Sequence, residues 1–253
     1  MEQALELQRM EMQIWKMFGA GKVKRLSELP EQSNNVIRTG WKSLDEALGI
    51  GGIPEGRIVE IYGDTQTGKT TLALQIAKQA QKKGAVLYID SDCGLSAYQI
   101  RYSGIKKKNF YVARPETMEE AFELCKTAAS GFSLIVIDSI AALPVEAEAT
   151  GEMGDYTYEL QSKRMAKFLR IILGRLSDSG CTLLLVNQLR EDPTIVFGNP
   201  VKTPCGRALK HYASVRIEAS NAGRSKNGAS FKYIVRKNKC AEPMKWAQVN
   251  VAF

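Results

Sequence analysis

The segment that most constrains this chain is the octapeptide GDTQTGKT, which runs from Gly63 to Thr70. An apolar run from Ile58 to Tyr62 directly precedes it, and a helix-like run from Thr71 to Gln81 directly follows it. A strand, a glycine-permitted loop and a helix in this order form a P-loop, whose backbone N–H groups wrap the phosphates of a nucleotide. The sequence therefore predicts a nucleotide-binding protein.

The residues of this loop have separate expected roles. Gly63 and Gly68 let the backbone turn tightly enough to aim its N–H groups inward. Lys69 can reach the β- and γ-phosphates as a compact charge, and the Thr70 hydroxyl is placed to hold Mg²⁺ at the start of the helix. The predicted ligand is thus a nucleotide together with Mg²⁺.

A second apolar run, Leu134 to Asp138, ends in an acid. By itself such a strand end is common, and its acid more often serves a helix cap or a turn. A P-loop that hydrolyses its nucleotide needs a carboxylate at the end of a buried strand, where it accepts a hydrogen bond from a Mg²⁺-bound water or from Thr70. Beside the P-loop, Asp138 is therefore predicted to support the metal.

Composition indicates one globular domain of the α/β kind. With 253 residues, of which 44% are apolar, the chain can bury a large core without disulfides or a structural metal. Its five cysteines are widely spaced, odd in number and without a C-x-x-C pair, which argues against a disulfide framework or a zinc site and indicates reduced thiols in the cytoplasm. The single His211 is expected to be structural or at the surface. No apolar run is long enough for a membrane span.

Strand-like and helix-like runs alternate from Arg57 onward, which is the pattern of βαβ units. This predicts a mostly parallel central sheet with helices on both faces and an antiparallel extension, with ligands at the carboxyl edge of the strands. The predicted strands are Arg57 to Tyr62, Val86 to Asp90, Phe110 to Val112, Leu134 to Asp138, Cys181 to Val186, and the antiparallel Ala213 to Glu218, Phe231 to Val235 and Trp246 to Val251. The predicted helices are Lys69 to Lys83, a short one near Ala97, Met118 to Ala129 and roughly Tyr158 to Ser177.

The first 33 residues are predicted to form a helix and a linker ahead of the core at 34–253. One face of this helix carries an apolar stripe, made of Leu5, Met12, Trp15 and Phe18. Such a stripe docks either on the core of its own chain or on a neighbouring subunit, and the sequence leaves both open.

Several further segments match one family in order and nearly in spacing: LDEALGIGGIPEGRIVEIYG, LIVIDSIAAL, GEMGD, VNQLRE, FGNP, ALKHYASVRIE and VRKNKCAEPMKWAQ. Along nearly its whole length the chain resembles the bacterial RecA recombinase family, without a counterpart of that family's C-terminal domain. The resemblance implies a RecA-type P-loop NTPase fold and a DNA-dependent ATPase with ATP and Mg²⁺ as cofactors. It also implies a homo-oligomeric helical filament on single-stranded DNA, with duplex DNA as a further partner, that promotes homologous pairing in recombination and repair.

The resemblance assigns nucleotide contacts residue by residue. Asp92 occupies the place of the family's catalytic glutamate, which aligns the attacking water, and its side chain is shorter by one methylene, or about 1 Å. The alternative is that Asp92 caps the following helix. Tyr98 lies one place from the family's adenine-stacking aromatic residue. The ATP phosphates and Mg²⁺ are assigned to Gly63, Asp64, Thr65, Gln66, Thr67, Gly68, Lys69, Thr70 and Thr71.

Three residues match parts that respond to the nucleotide. Gln188 matches the residue that senses the γ-phosphate and relays its presence to the following DNA-binding loop; without the resemblance it would be an ordinary strand terminus. Lys237 and Lys239 match the cations that reach across a subunit interface towards the nucleotide of the next protomer; by themselves they would be solvated surface charges.

The DNA-binding loops implied by the resemblance lie at about 151–160 and 189–207. A net charge of +8 and a pI near 9.2 agree with a nucleic-acid partner. Three departures weaken the match. Two acids and a proline, Glu191 to Pro193, open the second loop where the family tends to be basic or apolar. Cys205 stands where the family has a glycine, and Ser220 and Asn221 stand where it has arginines that serve a second DNA site. The candidate DNA contacts are Lys163, Arg170, Arg190, Arg207, the backbone near Gly206, and Tyr158 or Phe197.

Two other functions fit parts of the sequence. The shorter acid at Asp92 favours a nucleotide-gated regulatory or accessory DNA-binding protein with weak ATPase activity and no strand exchange. A ring-forming helicase shares the core ATPase, but the neighbouring domains expected of it have no counterpart in this sequence.

Overall fold

The computed structural model describes residues 2–19, 23, 25, 27, 35–151, 158–191 and 201–252. The chain divides into two compact units, Met1–Asn35 and Val36–Phe253. The first unit contains helix α1, Glu2–Phe18, which confirms the predicted N-terminal helix. The docking partner of its apolar stripe stays a prediction.

The second unit alternates strands with helices. Its strands are β1 Val36–Ile37, β2 Ile53–Pro54, β3 Ile58–Gly63, β4 Val86–Asp90, β5 Phe110–Ala113, β6 Leu134–Asp138, β7 Thr182–Gln188, β8 Arg190–Glu191, β9 Val201–Lys202, β10 Val215–Ser225, β11 Gly228–Asn238 and β12 Trp246–Ala252. Its helices are α2 Lys42–Ala47, α3 Lys69–Ala80, α4 Ala97–Ser103, α5 Met118–Ala128, α6 Glu146–Thr150, α7 Tyr158–Ser179 and α8 Gly206–Tyr212. Across the described ranges, no helix has both the length and the apolar character needed to cross a bilayer.

Eight of these strands form the central sheet, in the order β12-β11-β10-β3-β7-β6-β4-β5. The six strands from β10 to β5 in that order run parallel, whereas β11 and β12 are antiparallel. The observed sheet confirms the predicted fold class, a mostly parallel sheet with an antiparallel extension.

Side chains of the central strands alternate between two cores. On β6, Leu134 and Val136 join the core that contains residues of α3, whereas Ile135 and Ile137 join the core that contains residues of α5 and α7. Strands that are buried on both faces are typical of a parallel sheet covered by helices. Helices therefore cover both faces of the sheet, as predicted.

The carboxyl ends of the parallel strands meet at one edge. Gly63 at the end of β3 pairs with Gln188 at the end of β7, and Asp90 at the end of β4 pairs with Asp138 at the end of β6. Ligands of α/β sheets bind outside this edge. The topology thus brings the P-loop and Asp138 to the same side of the molecule.

The antiparallel strands are longer than predicted. β10 and β11 form one hairpin that turns at Lys226 and Asn227, and its far half lies outside the predicted segments. That half consists of glycines, alanines and polar or charged residues, so the apolar alternation that marks a half-buried strand is missing there. The ladder between the two strands, together with the pairing of β11 with β12, holds this half of the hairpin.

Both predicted DNA-binding loops are shorter than expected at their C-terminal ends. α7 begins at Tyr158 and α8 begins at Gly206, inside the predicted ranges 151–160 and 189–207. The second loop also starts and ends in a small ladder between β8 and β9. The residues of the loops at 152–157 and 192–200, including Phe197, lie outside the described part of the chain.

Candidate nucleotide-binding site at the carboxyl edge

Gly68 ends the P-loop and must be a glycine for two reasons. It caps the N-terminus of α3 in the left-handed region, with φ at 81°, which side chains rarely adopt. A Cβ there would also lie 2.8 Å from the ring of Phe231 and from the hydroxyl of Tyr233. The Tyr233 hydroxyl donates a hydrogen bond of 3.1 Å to the Gly68 carbonyl, so β11 supports the loop from behind.

Lys69 is the first residue of α3, and its ammonium group turns back over the loop. It donates a hydrogen bond to the Asp64 carbonyl. Burial lowers the pKa of Lys69, and the nearby Asp138 and Asp64 oppose that shift. A phosphate at the loop would add further negative charge beside this partly buried ammonium.

Asp138 is buried at the end of β6, with 6% of its surface exposed. Its Oδ2 accepts hydrogen bonds of 2.7 Å from the Thr70 hydroxyl and of 2.7 Å from the Tyr88 hydroxyl. Burial raises the pKa of Asp138 above its ordinary value, although both hydrogen bonds act in the other direction. A tyrosine inside an apolar strand is typical of a core, so the sequence gives no signal for this role of Tyr88.

The donor set at Thr70 and Asp138 fits Mg²⁺. In the described part of the chain, no group of three or more His, Cys, Asp or Glu side chains could hold a metal by itself. One hydroxyl and one carboxylate suit Mg²⁺, which keeps several waters and takes its other ligands from nucleotide phosphates. The pair thus fits a metal that arrives with a nucleotide.

Asp92 follows β4 and lies on the surface. Its Oδ1 accepts a hydrogen bond of 2.9 Å from the Gly94 backbone. The N-cap of α4 is Ser96, which forms a capping box with Gln99, so the alternative that Asp92 caps this helix is wrong. The Asp92 carboxylate is close enough to Asp138 to add to the rise in the pKa of that group.

A cavity of about 280 Å³ opens between the P-loop and the neighbouring elements. Gln99 on α4 is one of its described lining residues and Tyr98 is not. Tyr98 is exposed and stacks on Tyr102, with the ring centroids 6.0 Å apart. Stacking of Tyr98 on adenine stays a prediction. The lining residues are Gln66, Thr67, Gly68, Lys69, Thr70, Thr71, Gln99, Arg224 and Phe231.

Gln188 lies beside the start of the P-loop, and its neighbour belongs to a buried polar network. The Asn187 side chain accepts from the Gln188 backbone at 2.9 Å and donates to Glu60 Oε1 at 3.0 Å and to the Pro204 carbonyl at 3.4 Å. Glu60 also forms an ion pair with Arg216. The network joins β3, β7 and β10 to the segment that precedes α8. The one sequence signal for it is a glutamate inside the apolar run of β3.

Lys237 contacts the C-terminal end of α8. Its Nζ donates to the carbonyls of Lys210 at 2.6 Å and of His211 at 2.8 Å. Burial lowers the pKa of Lys237, and the positive charges of Lys239 and Arg216 lower it further. Lys239 is exposed.

The other candidate DNA contacts fall on three elements. Lys163 and Arg170 are exposed on α7, seven positions apart and so on one helix face, and Lys163 pairs with Glu159 at 3.5 Å. Arg207 is exposed on α8. Arg190 and Tyr158 begin β8 and α7, respectively.

Cys205, directly before α8, takes the backbone conformation for which a glycine was expected. Its φ is 69°, in the left-handed region, and the residue is buried. The turn into α8 therefore has the glycine-type geometry in spite of the substitution, at a conformational cost of about 1 kcal/mol.

Comparison with known proteins agrees with this geometry. Residues 4–253 match the family described as RecA N-terminal domain. The chain is 43% identical over 249 residues to Protein RecA of Clostridium acetobutylicum, which covers 95% of the chain and 71% of that protein. It is 44% identical over 249 residues to Protein RecA of Bifidobacterium longum, across 95% of the chain and 63% of that protein. Protein RecA of Thermus thermophilus is 43% identical over the same length, across 95% of the chain and 73% of that protein. The chain therefore belongs to the RecA family.

Proposed function

We propose that this protein is an ATP-dependent recombinase that forms filaments on single-stranded DNA, hydrolyses ATP when DNA is bound and promotes homologous pairing. The observation that carries the proposal is the pair of Thr70 and Asp138, 2.7 Å apart beside Lys69, at the edge of a RecA-type sheet. Family membership supports the DNA-dependent part of this activity.

Within one protomer, the residues of the site have separate roles in binding and hydrolysing ATP. Backbone N–H groups at the start of α3 and the Lys69 ammonium hold the phosphates. Thr70 and Asp138 would hold Mg²⁺, which when bound would supply positive charge for the phosphate oxygens. Asp92 orients the attacking water, and Gln188 responds to the terminal phosphate through its place beside Gly63.

A second protomer completes the site. Lys237 and Lys239 supply the cations from the neighbouring copy, as the family resemblance implies. ATP turnover then depends on assembly, and assembly is the state that holds DNA.

DNA lies along the loops before α7 and α8, with Lys163, Arg170 and Arg207 neutralising its phosphates. Each phosphate contact releases a counterion, so DNA affinity falls as salt increases. The hydrogen bonds of Asn187 to Glu60 and to the Pro204 carbonyl support a physical route between the nucleotide edge and the second loop, because they connect the strand that ends at Gln188 to the segment that precedes α8.

The test is ATP turnover with and without single-stranded DNA, together with a strand-exchange assay on the same protein. We expect DNA to stimulate turnover and strand exchange to require ATP. A protein that stays monomeric and neither binds DNA nor responds to it in turnover, when saturated with ATP and Mg²⁺, would contradict the proposal.

A second candidate function is that of a nucleotide-gated accessory protein that binds DNA without strand exchange. The hydrogen bond from Gly94 holds the short Asp92 carboxylate near its own loop, which favours slow hydrolysis. Nucleotide-dependent assembly on DNA with little turnover and no strand exchange would select this candidate.

A further inference from the structure

The β10–β11 hairpin runs beside the P-loop. β10 pairs in parallel with β3 as far as Ala219, which lies opposite Gly63, and then continues to Ser225. β3 ends at Gly63 and becomes the P-loop. The far half of the hairpin therefore continues beyond the end of β3, on the side where β3 becomes the P-loop.

Contacts fix the hairpin against the loop. Phe231 and Tyr233 on the returning strand fill the space that a side chain at Gly68 would need. On the outgoing strand, Arg224 Nη2 donates a hydrogen bond of 2.7 Å to Gln66 Oε1. The arginine thus stands at the mouth of the nucleotide cavity, and Phe231 and Arg224 both line it.

The cavity is cationic. Among the described residues that line it, Lys69 and Arg224 are positively charged and none is a carboxylate. Within the part of the chain that the structure describes, Arg224 forms no salt bridge. Its hydrogen-bond partner is the neutral amide of Gln66. A neutral amide uses one of the five N–H donors of a guanidinium and leaves its charge uncompensated.

We propose that Arg224 is a second phosphate-binding cation of the nucleotide site, contributed by the same protomer through the β10–β11 hairpin. A guanidinium presents paired N–H groups that match two oxygens of a phosphate. Gln66 holds the side chain at the cavity before a nucleotide arrives. This inference rests on the proposed function, since it needs a nucleotide in the P-loop.

The experiment measures affinity for ADP and for adenosine by calorimetry, with adenosine affinity taken from competition where direct heats are too small. The variants are Arg224→Ala, Arg224→Lys and, as a matched control, Lys226→Ala. Lys226 is exposed at the turn of the same hairpin and is not a described lining residue, so its loss removes the same charge from the same element. Far-ultraviolet circular dichroism melts check that each variant folds.

We expect Arg224→Ala to weaken ADP binding by about tenfold, the usual scale for one charged hydrogen-bonding contact, and to leave adenosine binding unchanged. Arg224→Lys should recover part of the loss, and Lys226→Ala should bind ADP like the wild type. Equal ADP affinity for wild type and Arg224→Ala would overturn the inference alone. Failure of the wild type to bind ADP would overturn the inference and the proposed function together.

Discussion

The Thr70 hydroxyl donates to the Oδ2 oxygen of Asp138 at 2.7 Å, and the Tyr88 hydroxyl donates to the same oxygen at 2.7 Å. An asparagine with its carbonyl oxygen in that place would accept both hydrogen bonds. An asparagine at position 138 would therefore remove the buried negative charge and keep the hydrogen bonds that hold the side chain.

Asp138→Asn is expected to stabilise the protein at neutral pH and to abolish ATP turnover. Burial raises the pKa of Asp138 in the folded state, so the folded carboxyl keeps its proton to a higher pH than the unfolded one. Below the ordinary pKa of an aspartate both states are protonated and burial has no penalty. As pH rises above that value the penalty appears, at about 1.4 kcal/mol for each unit of the shift. Urea unfolding at pH 4 and pH 7 should show the stability gain of the variant growing with pH.

The control for this prediction is Asp90→Asn. Asp90 ends the adjacent strand in the same register, but its carboxylate has a cationic partner, Arg114, at 3.1 Å, and accepts from the Leu95 backbone. Removing its charge should lower the free energy of unfolding at pH 7, because the ion pair is lost. Stability changes of the same sign in both variants would contradict the argument.

Lys69→Ala is expected to abolish nucleotide binding and nucleotide-dependent assembly. The variant loses the ammonium group that faces the cavity, whereas the P-loop backbone still has its support from Tyr233. ADP calorimetry and light scattering with ATP measure the two effects. Lys82→Ala, which removes an exposed lysine just after α3, should change neither. Unchanged ADP affinity in Lys69→Ala would remove the phosphate role assigned to this residue.

Lys237→Ala and Lys239→Ala are both expected to lower ATP turnover, but only Lys237→Ala is expected to lower the stability of the fold. Both should suppress DNA-stimulated ATP turnover while sparing ADP binding by the isolated protomer, since the proposed role of both acts on the neighbouring site. Lys237→Ala alone should also lower the free energy of unfolding, by about 1 kcal/mol, because Lys237 donates to the last carbonyls of α8.

Turnover and urea unfolding of the two single variants and the double variant measure this difference. Full turnover in the double variant would refute the contact across the interface. Equal stability of the two single variants would refute the capping of α8.

The sequence predicted the parts of the fold that are coded by local pattern. Short apolar runs predicted the strands β3, β4, β6 and β7. The P-loop signature also predicted that β3 continues into a loop and a helix, so the ends of the strands at the site could be placed from the sequence. The mostly parallel direction of the strands followed from their alternation with helices, whereas the order of the strands in the sheet was not predicted.

The contacts that tune the site could not be predicted, because they join residues distant in sequence. Tyr88 and Asp138 meet across neighbouring strands, and Arg224 reaches Gln66 through a hairpin whose polar half has no strand pattern. For the left-handed conformation of Cys205, the signal came from the family resemblance, which places a glycine there, because a cysteine by itself gives none. Tertiary pairing decided each of these features, and local propensity did not.

Asp92→Glu is expected to raise ATP turnover severalfold. The added methylene extends the carboxylate by about 1 Å, and a misplacement of that size can cost as much as a hundredfold in rate. The longer side chain also disrupts the short hydrogen-bonded turn in which Asp92 Oδ1 accepts from Gly94, so the carboxylate is no longer held at that turn. Single-turnover hydrolysis in the presence of DNA measures the chemical step.

Asp92→Asn is the control, because it keeps the size and the hydrogen bond of Asp92 but removes the negative charge, and it should hydrolyse ATP more slowly than the wild type. If Asp92→Glu were also slower, the site would be adapted to the shorter acid and side-chain reach would not limit the rate.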